Sequence, residues 1–285
     1  MSRAIASALE AAESAARAAG VVIRPVSGLA ELESLDRLLA GIWQEDPDSP
    51  LLTTELLRAL AKSGNYVAGA YDGATPVGAA VAFFSAPANR ELHSHIAGVG
   101  RAGAGRGVGF ALKLHQRAWA LQQGATVISW TFDPLVARNA YFNLAKLAAV
   151  PAAYLPNFYG AMHDRINGDD DSDRLLVYWD LLAPAVVAAG AGRRHRCARP
   201  ETATVALRRG ADGGPQPGSP QGRTVLVAVP EDVEALRREA SGVARRWRVA
   251  VRDTLTTLLG DGLRFTGFDR DGWYVLTRAA EGRRP

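Results

Sequence analysis

Glycine occupies alternate positions, 103, 105, 107 and 109, in the stretch RAGAGRGVGFALK (residues 101–113), and an apolar helical pattern follows at once. The preceding run ELHSHIAGV, residues 91–99, alternates as a strand does. A strand, a glycine-rich turn and a helix in this order present free backbone N–H groups and the helix dipole to an anion. Glycine lets the turn adopt positive φ angles and lets a ligand approach the backbone closely. The stretch therefore predicts a turn that holds a phosphate or pyrophosphate.

Two common phosphate-binding turns do not fit this stretch. The dinucleotide-binding fingerprint GxGxxG follows the first strand of a parallel sheet, with strands and helices alternating. Here several strand-like runs that look antiparallel precede the turn, and the third glycine, Gly107 or Gly109, is out of place. A Walker A motif ends in Gly-Lys-Ser/Thr, which the stretch lacks.

The hydrophobic pattern predicts an α/β protein. Strands are expected at 21–26, in the hairpin formed by NYVAGAY and PVGAAVAFFSAP, at 91–99 and at 126–132, with further strands in AAYLPNFYG and RLLVYWDL. Helices are expected in the Ala-rich residues 1–20, in LAELESLDRLLAGIWQ, in TELLRALAKSG, at about 108–123 and in LVARNAYFNLAKLAA. Most neighbouring strands are therefore expected to be antiparallel.

The composition divides the chain into three parts. Residues 1–183 form the main domain, including the N-terminal helix of residues 1–20. Residues 184–222 are rich in Ala, Gly, Arg and Pro and predict a linker or exposed loop. Residues 223–285 predict a small βαββ unit, with a strand in TVLVAV, one helix over about 230–259, and a hairpin around Asp271-Gly272.

Composition also excludes several classes of protein. The 285 residues are 48% hydrophobic and carry a formal net charge of +4, which is typical of a soluble globular protein. The single cysteine, Cys197, excludes an internal disulfide framework. No run approaches the ~20 apolar residues of a membrane span, and we expect a cytoplasmic protein. The arginines lack the interleaved aromatics of a nucleic-acid binder and predict a solvated basic linker and helix face. The aspartates at 169–171 lack the spacing of a calcium loop, so no metal is expected.

Part of the glycine stretch resembles the pyrophosphate loop of the GNAT superfamily of N-acyltransferases, which reads Arg/Gln-x-x-Gly-x-Gly/Ala between the fourth strand and the third helix. The matching residues are Ala104, Gly105, Arg106, Gly107, Val108 and Gly109. Ala104 departs from the usual Arg or Gln, which removes one side-chain contact that Arg101 or Arg106 could replace. The element order over residues 21–182 is also similar to that of the superfamily. The chain looks like one branch of it, which carries a similar C-terminal βαββ extension.

This resemblance implies a fold and an activity. The fold would be a mixed, mostly antiparallel twisted sheet flanked by helices. The activity would be transfer of an acyl group from acyl-CoA, with acetyl-CoA or succinyl-CoA as donor, to an amine of a small molecule such as an amino acid. The amine would attack the thioester directly, without a covalent acyl-enzyme. Val99 would offer its backbone N–H near the thioester carbonyl, Gly105 to Gly109 would hold the pyrophosphate, and Asn139 would contact pantetheine.

His93 and His95 are two residues apart on the fourth strand, so both are expected on one face of the sheet. A histidine near its ordinary pKa of about 6.5 suits removal of a proton from an ammonium group. His95 is the candidate base, against the alternative of a histidine that is hydrogen-bonded within the sheet. For His93 a hydrogen-bonded position within the sheet is favoured over the role of base, and Glu91 is a third candidate base.

In the superfamily a tyrosine protonates the leaving thiolate, and the corresponding position in this chain is Leu144. Tyr141 and Asn143 are therefore the candidates, and a water molecule is the alternative. Asn157, Tyr159 and Arg174 border the expected acceptor position. Arg174 could bind a carboxylate with two hydrogen bonds, or it could form a surface salt bridge with Asp171 or Asp173.

Two other functions remain open at this point. The acyl donor could be bound to an acyl carrier protein, which shares pantetheine with CoA but lacks the adenosine phosphates. Alternatively, the chain could bind acyl-CoA without catalysis, because the usual tyrosine is missing and the loop is altered. A second copy of the chain is a further candidate partner, whereas nucleic acid and membranes are not expected.

Overall fold

A computed structural model describes residues 1–43, 51–160, 170–195, 197 and 199–278. These residues form two compact units. The first unit comprises residues 1–130 and 178–192, and the second comprises 131–160, 170–177 and the described part of 193–278. None of the helices in the described ranges is long and apolar enough to cross a membrane.

The described residues of the first unit contain five α-helices and the strands that lead to the glycine turn. Its helices are α1 (Ser2–Ala19), α2 (Leu29–Trp43), α3 (Thr54–Lys62), α4 (Val108–Gln122) and α6 (Pro184–Gly190). Its complete strands are β1 (Val22–Pro25), β2 (Tyr66–Asp72), β3 (Thr75–Phe84) and β4 (Glu91–Val99). Two further strands, β5 (Val127–Phe132) and β7 (Arg174–Asp180), have residues in both units.

The larger sheet has seven strands in the order β1-β2-β3-β4-β5-β7-β6, where β6 is Val150–Leu155. The ladders from β1 to β4 are antiparallel, whereas β4 and β5 pair in parallel. The prediction of a mixed, mostly antiparallel α/β fold is therefore confirmed for these strands.

Apolar spacing on α2 accounts for the packing on one face of this sheet. Leu32, Leu35 and Leu39 recur at helical spacing, and their exposed fractions are 0%, 0% and 1%. They join Leu57 of α3 and Val81 of β3 in one buried cluster. Thr53 caps α3, since its side-chain oxygen accepts a hydrogen bond from the N–H of Leu56.

The described part of the second unit contains β6 and a short helix, α5 (Ala137–Ala140), that continues into a π-helical turn (Tyr141–Lys146). The elements of this unit that follow β7 and α6 along the chain are β8 (Thr204–Arg209), β9 (Pro215–Pro217), β10 (Thr224–Ala228), α7 (Val233–Glu239), α8 (Ser241–Gly260), β11 (Leu263–Phe268) and β12 (Trp273–Arg278). Five of these strands form a separate sheet in the order β11-β12-β10-β8-β9. The predicted hairpin around Asp271-Gly272 is the β11–β12 pair.

The structure corrects the expected linker and helix. Residues 184–222 are not a bare linker, because they contain α6, β8 and β9. β8 pairs with β10 in parallel, and its consecutive residues Ala206 and Leu207 are buried. The single helix expected over 230–259 is two helices, α7 and α8, which are separated at Ala240 by backbone that is not helical (φ −148°, ψ 58°).

The arginine-rich helices are not the solvated face that composition suggested. Arg248 of α8 has an exposed fraction of 1%, and it donates to both carboxylate oxygens of Asp133 at 2.9 Å and to Asp170 at 2.8 Å. Arg237 of α7 also contacts Asp133 and Asp170. The two guanidinium groups hold the pKa of the Asp133 carboxyl well below its usual range, despite burial that acts in the opposite direction. The four side chains form a buried ionic network in the second unit.

A second group of ion pairs involves Asp171 and Asp173, which closely follow Asp170 of this network along the chain. Asp173 has an exposed fraction of 0% and accepts hydrogen bonds from the Tyr154 hydroxyl (2.6 Å) and the Asn157 N–H (2.9 Å). Arg252 of α8 donates to both oxygens of Asp173 and to Asp171. Residues 170–173 and helix α8 are therefore joined by charge-assisted hydrogen bonds.

Arg248→Ala should lower the free energy of unfolding by about 3–5 kcal/mol, because it leaves the buried Asp133 carboxylate without its main partner. Urea denaturation of the full chain measures this. Arg245→Ala is the control, since Arg245 is exposed on the same helix, and a change within about 0.5 kcal/mol is expected. Equal losses in the two variants would contradict the role of the network.

Candidate functional site

The glycine turn between β4 and α4 has left-handed backbone at two positions. Gly105 has φ 75° and Gly107 has φ 88°, a region that favours glycine. A Cβ atom at either position would meet nothing within 4 Å, so the requirement for glycine comes from the backbone and the space beside it is open. Both residues are exposed. The turn has the conformation and the open approach that the sequence predicted.

The N-terminus of α4 follows this turn without a side-chain cap. Gly107 is the N-cap residue and offers no side chain to the helix. The Gly107 carbonyl accepts the first hydrogen bond of the helix, from the N–H of Ala111 at 3.0 Å. Within the described residues, the N–H groups of Val108, Gly109 and Phe110 have no acceptor. Helix α4 has 15 residues, and free N–H groups at the positive end of a helix are suited to bind an anion.

The Arg106 side chain does not extend over this turn as a phosphate ligand. It forms an ion pair with Asp72 (2.7 Å) and donates to the carbonyls of Ala19 and Gly20 at 3.1 Å and of Ala102 at 3.2 Å. Arg106 therefore fixes the turn to the C-terminal end of α1, where the carbonyls are unpaired and the helix dipole is negative. Arg101 is exposed, and its side chain forms no hydrogen bond or ion pair within the described residues, although its carbonyl accepts from the Ala104 N–H.

β4 separates from β5 before either strand ends. The parallel ladder comprises the pairs Glu91–Val127, Leu92–Ile128 and His93–Ser129. β4 continues to Val99 and stays paired with β3. Within the described pairs, the residues of β4 after His93 have no partner on β5. The β5-facing edge of this part of β4 is thus available to another hydrogen-bonding chain.

The register shows which backbone groups lie on that edge. The N–H of Gly100 donates to the Val77 carbonyl at 2.9 Å, so residues 100 and 77 form a hydrogen-bonded pair. Because bonded and non-bonded pairs alternate in an antiparallel ladder, the Val99–Gly78 and Ala97–Ala80 pairs are non-bonded. The backbone N–H and C=O groups of Val99 and Ala97 therefore point away from β3.

The two histidines of β4 share one face, as predicted. Their ring centroids are 6.4 Å apart, and both rings contact Phe83. A bulge lies between the pairs Val81–Ile96 and Ala82–Ser94, and it leaves His95 without a partner on β3. His93 Nδ1 is 3.1 Å from the Ser129 hydroxyl, which fits the structural role. Partial burial lowers the pKa of each histidine, so His95 is neutral at pH 7 although its side chain is exposed overall.

A buried lysine on the opposite face of β4 was missed by the sequence analysis. Lys113 of α4 has an exposed fraction of 4%, and its Nζ donates to Ser94 (3.1 Å) and Gln116 (2.9 Å). The ammonium lies 3.7 Å from the centroid of the Trp130 ring. Burial lowers the pKa of Lys113 to about 7, although the indole face opposes this shift. The only signal in the sequence was a lysine placed between Leu112 and Leu114.

Lys113→Met should remove a pH dependence from the stability of the protein. Between about pH 7 and the ordinary lysine pKa of 10.5, the unfolded chain binds more protons at this site than the folded chain. The free energy of unfolding should therefore rise with pH in this window, by at most about 1.4 kcal/mol per pH unit. Urea denaturation at pH 7.5 to 9.5 measures it, and Lys62→Met, at an exposed lysine, should keep the rise. A rise that persists in Lys113→Met would contradict the assignment.

The residues predicted to protonate the leaving thiolate, Tyr141 and Asn143, lie in the second unit and differ in accessibility. Asn143 has an exposed fraction of 5% and belongs to the interior of the π-helical turn, so it is poorly placed to protonate a ligand. Tyr141 is half-buried at the start of this turn, and its hydroxyl accepts a hydrogen bond from Arg270 Nε at 3.0 Å. Asn139 is half-buried on α5. π-helical turns are frequent at functional sites.

The predicted acceptor residues are partly used for structure. The Asn157 side-chain oxygen accepts from the N–H and hydroxyl of Ser172 at 3.2 Å, and Asn157 itself is exposed. Tyr159 is 42% exposed, and its hydroxyl lies 3.1 Å from that of Thr131. Arg174 is buried, donates to the carbonyl of Asp173 at 2.9 Å and lies 5.2 Å from the centroid of the Tyr159 ring. It is therefore not a surface side chain.

No family model and no curated protein matches the chain. Several acetyltransferases are among the solved structures that it resembles. The N-acetyltransferase from Staphylococcus aureus Mu50 is 16% identical (TM-score 0.47) and aligns over 56% of this chain and 98% of its own. The protein yncA from Salmonella typhimurium, solved with its cofactor acetyl-CoA, is 16% identical (TM-score 0.48) over 58% and 96%. A GNAT-family protein from Desulfovibrio desulfuricans is 14% identical (TM-score 0.47) over 56% and 99%.

Gly107→Ala should lower the free energy of unfolding by about 1–2 kcal/mol, because an L-residue is strained at φ 88°. Gly109→Ala is the matched control at the start of the helix, where a Cβ would lie an ordinary 3.6 Å from Val99. That variant should be neutral or more stable by up to about 1 kcal/mol. Thermal or urea unfolding compares them, and the same effect in both would contradict the described turn.

Proposed function

We propose that the chain is an N-acyltransferase that binds acyl-CoA along β4 and at the N-terminus of α4, and transfers the acyl group to an amine. One observation carries this proposal. The edge of β4 that is left free after His93 leads, within about a dozen residues, to an uncapped helix N-terminus. A ligand in which an extended chain leads to phosphate groups fits the free strand edge with its chain and the helix N-terminus with its phosphates. Acyl-CoA is such a ligand.

The two features are suited to different parts of the donor. The pantetheine arm contains amide groups, which can pair with a free strand edge as an added strand does. Val99 and Ala97 direct their backbone groups to that side. The pyrophosphate carries negative charge, which the free N–H groups at the start of α4 and the dipole of that helix would stabilise. Gly105 and Gly107 leave open space for it. Because the Arg106 side chain is held by Asp72 and α1, Arg101 is the arginine proposed to contact the phosphates.

The proposed chemistry is direct attack of a neutral amine on the thioester carbon. A C–N bond forms, the C–S bond breaks, the attacking nitrogen gives up a proton to solvent, and the leaving thiolate takes a proton. His95 would accept the proton from the ammonium group, since its lowered pKa keeps it neutral at pH 7. The Val99 N–H would stabilise the developing negative charge on the carbonyl oxygen. Tyr141 is the remaining side-chain candidate for protonating the thiolate, with Asn139 proposed to contact pantetheine, and a water molecule is the alternative to Tyr141.

Isothermal titration of the full chain with CoA, acetyl-CoA, succinyl-CoA and pantetheine tests the binding part of the proposal. We expect micromolar binding of the CoA compounds and much weaker binding of pantetheine, because the phosphates contribute through the helix N-terminus. The thioester that binds most tightly then serves as donor in a screen of small amines, amino acids included. Failure of every CoA compound to bind would overturn the proposal, and a phosphopantetheinyl carrier protein would become the donor to test.

Gly107→Ala should weaken CoA binding about tenfold, because the substitution distorts the turn that presents the free N–H groups. Gly242→Ala, at an open helical position of α8, is the control and should bind CoA as the unaltered chain does. Unchanged CoA affinity in Gly107→Ala would place the phosphates elsewhere.

His95→Gln should abolish the acid limb of the pH profile of kcat/KM. In the unaltered chain, activity should fall as pH drops through the pKa of His95, which lies below its usual value of 6.5. Acyl-CoA affinity should be retained, because the imidazole would act on the acceptor amine. His93→Gln is the control on the same face and should keep the limb. A protein that binds acyl-CoA without turnover in any amine screen would instead favour the non-catalytic function.

A further inference from the structure

Among the described pairs, the ladder between β4 and β5 ends at His93–Ser129. The next residues along the two strands are Ser94 and Trp130, and both contact the same atom, Nζ of Lys113. Nζ donates a hydrogen bond to the Ser94 hydroxyl at 3.1 Å and lies 3.7 Å from the centroid of the Trp130 ring. The ammonium group therefore contacts both strands at the point where they separate.

The spacing of paired strands does not suit this arrangement. In a continued parallel ladder the strands would lie ~4.8 Å apart, and the side chains of paired residues would contact each other directly. At positions 94 and 130 the Lys113 ammonium group contacts both side chains instead, with a hydroxyl on one side and the face of an indole on the other. Lys113 thus occupies the space that a direct contact between Ser94 and Trp130 would need.

The Lys113 side chain is held in this position by its surroundings. It has an exposed fraction of 4%, and Nζ also donates to the side-chain oxygen of Gln116, which is fully buried one helical turn further along α4, at 2.9 Å. Nζ lies 5.7 Å from the ring centroid of Trp179, a second indole that packs edge-on against Trp130. The ammonium group therefore has little freedom to leave the point of separation.

An apolar side chain would suit this buried position better if packing were its only role. The hydrogen-bond partners of Nζ in the described chain are neutral, and burial of an ammonium group without a carboxylate costs free energy. The pKa of Lys113, which burial lowers to about 7, reflects this cost. The presence of a lysine here is explained if its ammonium group determines the geometry of the two strands.

We propose that Lys113 is a positioning residue that holds β4 and β5 apart where their ladder ends and keeps the following edge of β4 open. Its hydrogen bond ties Ser94 to α4, and its contact with Trp130 keeps β5 at a distance. The open edge includes the backbone groups of Ala97 and Val99, which are proposed to bind the pantetheine arm. The separation of the strands does not depend on acyl transfer, whereas its consequence for acyl-CoA rests on the proposed function.

Crystal structures of the unaltered chain and of Lys113→Ala test the separation without a ligand. We expect the Cα atoms of Ser94 and Trp130 to lie closer together in the variant, toward the ~4.8 Å of paired strands. Arg117→Met is the matched control, because it also removes a buried cation from α4, but one whose hydrogen bonds go to the Leu181 carbonyl. An unchanged Ser94–Trp130 separation in Lys113→Ala, or the same shift in Arg117→Met, would overturn the proposal.

Titration calorimetry measures the consequence for binding, with CoA and with the nucleotide part of CoA, which lacks the pantetheine arm. Lys113→Ala should weaken binding of CoA about tenfold. It should leave binding of the nucleotide unchanged, because the phosphates are proposed to bind at the N-terminus of α4 and the arm along β4. Arg117→Met should bind both probes as the unaltered chain does. Equal weakening of CoA and nucleotide in Lys113→Ala would indicate a general disturbance of α4 and contradict the proposal.

Lys113→Met covers the case in which Lys113→Ala does not fold. Methionine keeps the length of the side chain but loses the hydrogen bond to Ser94, so CoA binding should weaken about threefold. Ser94→Ala removes the same hydrogen bond and should add nothing to the effect of Lys113→Met, whereas additive losses would contradict the tie between Ser94 and α4. If the unaltered chain does not bind CoA, the proposed function fails, and the crystal structures still decide whether Lys113 separates the strands.

Discussion

The separation of β4 from β5 after His93 is the constraint on which the candidate site depends. β4 must stay paired with β3 along its length, so the strand cannot follow β5 and its other edge is left free. The bulge opposite Val81 and Ala82 fits this path, since a bulge bends a strand and increases its twist. The same strand then ends at the turn that begins α4. A free strand edge and a free helix N-terminus therefore come from one continuous piece of backbone.

Local features of this region could be predicted from the sequence. Alternating glycines before a helical pattern indicated the left-handed backbone at Gly105 and Gly107, and the two-residue spacing of His93 and His95 placed both on one face. These inferences need only periodicity and the steric freedom of glycine. The role of Arg106 could not be predicted in this way, because its partners lie on α1 and at the end of β2, far away in sequence.

Burial of charge was the main error of the sequence analysis. A run of arginines looks solvated when the partner carboxylates are distant in the chain, and Asp133 is 115 residues from Arg248. Lys113 was overlooked for a related reason, since its partners Ser94 and Trp130 come from two strands and only the assembled sheet brings them to one helix. Composition gives the number of charged side chains, whereas the fold determines which of them are buried.

The parallel pairing of β8 with β10 decides where the C-terminal region of the chain can be cut. β10 lies inside its sheet, with β12 on one side and β8 on the other. A fragment that starts at residue 223 would expose the β8-facing edge of β10, an apolar strand whose sequence is TVLVA. Such an edge is a template for pairing with other chains. A soluble fragment of this region therefore has to begin before Thr204, within the segment whose composition had suggested a dispensable linker.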